Sequence, residues 1–227
     1  PGGKCGHRHD AGAGISIGLM ARDGDEVKSP FKYKYSRRIN ELDPGALARE
    51  TASEALSRLG AKQPKSGSMP VVFNNEAARE VLAAFSGMFS ARNVQKGLSL
   101  LRGKPGQEVA SRVVHLRDNA LLPEGPVSRP FDDEGAASQE TPLIEDGLLK
   151  SFLHNRYTAS MDGVRSTGNA SRGSISGSLD VAPSNFYLVP GEGSLEGLLG
   201  EAGQGILVVE LQGLHSGTNA ISGDFSL

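Results

Sequence analysis

The run TPLIEDGLLKSFLHNRY, residues 141–157, constrains this chain's fold more than any other stretch. Asp146-Gly147 sits between two apolar runs, and both residue types tolerate the positive φ that a two-residue type I′ loop requires. That loop matches the right-handed twist of the strands it joins, so an antiparallel hairpin with fixed register is expected. Neighbouring text agrees. SRVVHLRD (111–118) alternates apolar and polar residues before PEGP (123–126) breaks it, NFYLVPG (185–191) reads as a strand, and GILVVELQG (205–213) reads as a buried one. Thirty glycines, 12 prolines and no tryptophan favour a turn-rich, mainly β body over a helix bundle.

Upstream, Ile15, Ile17 and Leu19 alternate in a half-buried strand pattern, and Asp23-Gly24-Asp25 forms a turn. Phe31, Tyr33 and Tyr35 alternate with Lys32 and Lys34 in a second amphipathic strand that opens after Pro30. The clearest helix follows, with Asp43 at the N-cap and Pro44 at N1. Its apolar stripe is Leu47, Ala52, Ala55, Leu56 and Leu59, and Gly60 ends it. AKQPKSGS (61–68) reads as a linker and a domain boundary. MPVVF then starts a strand, and a helix after Asn75 places Val81, Leu82, Phe85, Met88 and Phe89 on one core-facing side. Ser194 is positioned to cap a short helix through Leu199.

The charge balance is even: net −2 and pI about 6.3, with no basic run, which argues against nucleic acid as a partner. No apolar run approaches the roughly 18 residues a membrane span needs, and no signal-peptide order opens the chain, so a cytoplasmic protein is expected. A single cysteine excludes an internal disulfide.

Metal-binding residue types crowd into KCGHRHD (4–10), where Cys5 precedes His7, His9 and Asp10. They come from one extended segment, whereas structural zinc sites join two separated pairs, so a solvated segment is expected. Neither H-E-x-x-H nor H-E-x-x-x-H occurs, and His115, His154 and His215 stand outside any paired motif. GEGSLEGLLG (191–200) lacks the Lys-Ser/Thr of a phosphate loop, and the serines of SRGSISGS (171–178) lie in no nucleophile elbow.

Three polar loops remain. RPFDDEG (129–135) concentrates carboxylates beside Arg129. STGNASRG (166–173) and HSGTNAISGDFS (215–226) have the Gly/Ser/Thr/Asn composition that suits close backbone approach by an extended peptide. Asp132, Glu134, Thr167, Asn169, Arg172, His215, Asn219 and Asp224 are the candidate peptide-facing residues.

In this order, PFDDEG, TPLIEDGLLKSFLHNRYTA, STGNASR, PSNFYLVPG and GQGILVVELQG, followed by HSGTNAISGDFS, resemble the TldD/PmbA family, also described as U62 peptidases or modulators of DNA gyrase. The resemblance covers roughly residues 70–227. It implies an α+β, mainly β fold. Residues 1–42 would be the tail of an α/β N-terminal domain, 43–68 a connecting helix and linker, and 69–227 a C-terminal antiparallel, barrel-like domain. It further implies two subunits paired around a proteolytic chamber that takes unfolded peptides. In that family TldD-type subunits carry H-E-x-x-x-H on a helix, with a downstream Cys, to hold zinc, and PmbA-type subunits do not. The helix after Asn75 carries no His, so the resemblance is to the PmbA type. No cofactor is expected in this subunit, zinc is expected in a TldD-type partner, and the chain pairs with that partner or with itself. The family also continues past the SGDFS stretch. Two other readings stay open. One is an autonomous metallopeptidase using Cys5, His7 and His9, or His215 with Asp132 or Glu134. The other is a non-enzymatic modulator that binds gyrase or an antitoxin complex.

Overall fold

The structure is a computed structural model that describes residues 6–7 and 9–225, apart from the side chains of His215 and Ser216. The chain divides into two compact units, His7–Gly67 with Glu124–Pro126, and Ser68–Pro123 with Val127–Leu227.

In the first unit β1 (Ala13–Gly18), β2 (Ala21–Asp23), β3 (Glu26–Lys28) and β4 (Phe31–Ser36) precede helix α1 (Pro44–Ser57). β1 pairs antiparallel with β4, and β2 with β3. The Asp43 side chain caps α1 by accepting from the Ala46 amide at 2.8 Å, with Pro44 in the first turn. Its buried face is Leu47, Thr51 and Ala55, one residue every four, while Leu56 is exposed, so the expected stripe is rotated. Phe31, Tyr33 and Tyr35 are exposed, and Lys32 turns toward α1, pairing with Glu50 at 2.9 Å and Glu54 at 3.1 Å. Alternation gives two faces but not which one is buried. The Tyr33 ring lies over Gly14 of β1, where a Cβ would have no room, and the helix facing the other side offers Glu50 and Glu54. Arg37 donates to the Gly125 carbonyl at 3.1 Å and Arg38 pairs with Glu124, which binds the PEGP turn into this unit.

The second unit holds β5 (Val71–Phe73), α2 (Asn75–Phe85), a 3-10 turn Ser86–Phe89, α3 (Ala91–Gln95), β6 (Leu116–Asn119), β7 (Glu140–Glu145), β8 (Leu148–Leu149), α4 (Arg156–Asp162), β9 (Ala170–Arg172), β10 (Leu179–Val181), β11 (Phe186–Leu188), α5 (Leu195–Ala202), β12 (Ile206–Val208) and α6 (Leu214–Gly217). Its largest sheet has the order β11-β6-β7-β8, antiparallel throughout. β9 pairs with β10, and β12 runs parallel to β5. The sheet is open, and no barrel closes among the described residues. Its strands are short, and β6 carries a register shift at Leu116/Arg117.

The Asp146-Gly147 turn behaves as read, with φ of 51° and 74° at its two residues. SRVVHLRD forms a strand only from Leu116, because Ser111–Val114 is spent on a turn under the hairpin, closed by the Val114 amide on the Ser111 carbonyl. GILVVELQG yields only three strand residues, half exposed, because β12 has β5 as its one partner. The helix after Asn75 stops at Phe85, and the 3-10 turn carries Met88 and Phe89 into the core. There they pack with Leu116, Leu143, Leu149, Phe152, Leu153 and Val181. Leu143, Leu149 and Leu153 are fully buried, each worth about 2–3 kcal/mol in removed apolar surface. No helix among the described residues is long and apolar enough to cross a membrane.

Candidate functional site

The three carboxylates of RPFDDEG diverge, and each holds a different piece of backbone. Asp132, buried, accepts from the amides of Glu134 (3.0 Å) and Ala136 (2.9 Å) through Oδ1 and from Ala170 (2.9 Å) through Oδ2. Asp133 accepts from the Arg172 amide at 2.7 Å, and its own amide donates to the Ala170 carbonyl at 3.3 Å. Glu134 reaches the first turn of α4, accepting from the Arg156 amide at 2.8 Å. The acidic loop thus takes the place of a strand along the outer edge of β9. That edge is closed to an added peptide strand, contrary to what the loop's composition suggests.

Beneath it lies a buried polar network. Asn169 donates through Nδ2 to Asp118 Oδ2 at 2.7 Å and to the Ala182 carbonyl at 3.2 Å, and its Oδ1 accepts from the Thr167 hydroxyl at 2.6 Å. Thr167 accepts in turn from the His154 amide at 2.7 Å. Asp118 also accepts from the Ser184 amide (2.7 Å) and hydroxyl (2.9 Å). Burial pushes the Asp118 carboxyl above its ordinary range despite the hydrogen bonds from Asn169 and Ser184 and the charge of Arg129, all of which pull it down. His154 is displaced the other way. Burial lowers its pKa, opposed by the charge of Asp162 and a hydrogen bond to the Thr158 backbone, which favours the uncharged imidazole. Its Nδ1 has no partner among the described residues.

Of the candidates, Asp132, Thr167 and Asn169 are therefore buried and saturated. They hold the loops' backbone and buried side chains from below. Glu134 is half-buried with one oxygen engaged, and Arg172 is exposed, donating to the Gly177 carbonyl at 3.1 Å. Asn219 and Asp224 are exposed at the ends of a turn. In it Asn219 Oδ1 accepts from the Ile221 amide at 2.9 Å, and the Asn219 amide donates to the Asp224 carbonyl at 2.8 Å. The His215 side chain and Cys5 lie outside the described residues. His7 and His9 are exposed, their rings meeting edge to face at 5.5 Å.

The structure also brings α2 and the last loop together. The Asn74 amide donates to the Val208 carbonyl at 3.0 Å, α2 packs against α6, and Phe85 meets Phe225 edge to face at 5.8 Å. The donor set along α2 does not suit zinc. Its polar positions are Asn75, Glu76, Arg79 and Glu80, and among the described residues no three His, Cys, Asp or Glu side chains converge to hold a metal ion.

Sequence reasoning missed Asp118, Ser184 and the His154–Asn155 hub. A signal existed for Asp118, which follows Leu116 by two residues on a strand and so shares its inward face. Ser184 and the hub lie on loops with no period to read.

A family described as the PmbA/TldA metallopeptidase C-terminal domain matches residues 66–227. A metalloprotease PmbA homolog of Buchnera aphidicola is 32% identical over 92% of this chain and 44% of its own length. The metalloprotease PmbA of Escherichia coli O157:H7 is 29% identical over 99% of this chain and 46% of its own. Among solved structures, a proposed modulator of a DNA gyrase from Thermotoga maritima superposes with a TM-score of 0.86 at 40% identity, over 94% of this chain and 48% of its own. TldE from Thermococcus kodakarensis superposes with a TM-score of 0.81 at 28% identity, over 89% of this chain and 46% of its own. The chain thus spans about half the length of the relatives it matches.

Proposed function

Because the chain belongs to the PmbA/TldD metallopeptidase family, we propose that it is a PmbA-type component of a metalloprotease that binds unfolded peptides and pairs with a TldD-type subunit carrying the zinc. The observation that carries this reading is the donor set of α2. The helix that would present H-E-x-x-x-H offers amides, carboxylates and a guanidinium, and no imidazole. Zinc on the partner would supply an activated water. This chain's own residues bind and orient. Arg172 offers charge at the surface beside backbone held by Asp132 and Asp133, and Asn219 and Asp224 offer hydrogen bonds from a turn closed by their own contacts. Such preorganisation limits the entropy that a flexible peptide loses on binding.

The test is to mix this chain with a TldD-type subunit and follow cleavage of an unstructured peptide, with and without a chelator. Cleavage by the mixture that the chelator abolishes, with this chain inert alone, is the expected result. Chelator-sensitive cleavage by this chain alone would overturn it. A second reading takes support from the Thermotoga maritima neighbour's description as a gyrase modulator. Binding to gyrase without proteolysis in any combination would favour that one.

A further inference from the structure

A cavity of about 510 Å³ opens between α3, α4 and β10, and no residue of the acidic loop or of the 215–226 loop lines it. Two cations line it, Arg92 and Lys96, and no carboxylate does. They stand one helical turn apart along α3 and its C-cap. Arg92 is already engaged, with Asp180 Oδ2 at 3.0 Å and the Leu179 carbonyl at 3.3 Å. Lys96 is exposed and has no ion pair among the described residues.

Two amides complete the polar side. Asn155 is only 4% exposed. Its Oδ1 is taken up capping α4 through the Thr158 amide at 2.8 Å, and its Nδ2 has no partner among the described residues. Asn155 lines the cavity, so this amide opens into it and can donate to an acceptor on a ligand. The Gln95 amide is fixed by donating to the Thr158 carbonyl at 2.9 Å, which leaves its Oε1 as an acceptor with no partner among the described residues. The remaining wall is apolar, from the Tyr157 ring, Met161 and Leu179.

A ligand matching this wall has a carboxylate for Lys96, an acceptor for Asn155, an N–H for Gln95 and an apolar side chain for Met161 and Leu179. We propose that the cavity binds the C-terminal end of a short peptide whose last residues are apolar. This deepens the peptide-binding reading above and rests on it for the source of such peptides. The unpartnered Gln95 acceptor distinguishes a peptide from a simple aliphatic acid, which has no N–H to give.

Binding is measured by calorimetry on this chain alone, with three probes: acetyl-leucyl-leucine, acetyl-leucyl-leucinamide and hexanoate. The free acid should bind about tenfold or more tightly than the amide, as expected for a lost charge-assisted hydrogen bond, and hexanoate should bind weakest. Lys96→Met keeps the apolar stem at an exposed site that folding does not need. It should remove the preference for acid over amide, bringing binding of the free acid down to that of the amide. Equal binding of acid and amide, no binding by any probe, or hexanoate matching the peptide would each overturn the proposal. No zinc-bearing partner is present, so failure of the cleavage test and failure of this one are separate results.

Discussion

Asn169 holds four segments at once: the strand residue Asp118, the Thr167 turn, the Ala182 carbonyl and, through its own amide, the His154 carbonyl at 3.3 Å. Asn169→Ala should therefore cost about 3 kcal/mol or more in urea unfolding, since it leaves the buried Asp118 carboxylate short of one charge-assisted donor. A loss below about 1 kcal/mol would show that water replaces the amide. His154 makes a pH prediction. In the unfolded chain its imidazole takes a proton near the ordinary value of 6.5, while burial lowers that value in the folded protein. The unfolded state therefore binds more protons between the two values. Stability is full above about 6.5 and declines as pH falls through that window, until the folded imidazole also protonates. His154→Leu should flatten this part of the stability–pH curve. An unchanged slope would assign the acid sensitivity elsewhere. Composition points to the polar loops, but it does not show that Asp132, Thr167 and Asn169 face inward. Inward or outward is set by long-range partners such as Asp118 and Ser184, far away in sequence.

At the scale of elements, local chemistry was legible wherever a cap or a turn decides the outcome. Asp43 with Pro44 starts α1, Ser194 starts α5, and Asp146-Gly147 turns β7 into β8. The exposed aromatic face of β4 and the half-exposed β12 were not legible, because period-two alternation is the same whichever face a neighbour covers. Gly147 carries a second constraint that its turn type does not announce. A Cβ there would lie 2.3 Å from the Ala110 carbonyl oxygen, in addition to the strain of φ 74°. Gly24 has a similar φ of 56° and open space around it. Gly24→Ala should cost about 1 kcal/mol, the left-handed penalty alone. Gly147→Ala should cost about 3 kcal/mol or more, because backbone rather than a side chain must move. Equal losses in thermal unfolding of the two variants would mean that the loop at Ala110 yields freely.

For the whole molecule, the decisive feature is the segment between α1 and β5. Residues 61–70 have no secondary structure and 61–68 are exposed throughout. The first backbone bond in that segment is at Pro70, whose carbonyl accepts from the Ile206 amide at 3.0 Å. Exposed backbone without hydrogen bonds is where proteases cut first. Lys62 and Lys65 lie there, whereas the basic residues of the second unit's core elements, such as Arg92 and Arg117, are tied into ion pairs. The apolar core from Met88 to Val181 lies wholly on one side of this segment, and so does the cavity between α3 and α4. The matched family region begins at residue 66, beside the same segment. Brief trypsin treatment of the native chain should thus cleave at Lys62 and Lys65 before any other site. The product from residue 66 onward should keep its cooperative unfolding transition and its affinity for acetyl-leucyl-leucine. Loss of the transition on nicking would show that the second unit draws stability from residues before 66, and that a core complete in apolar contacts is not complete in free energy.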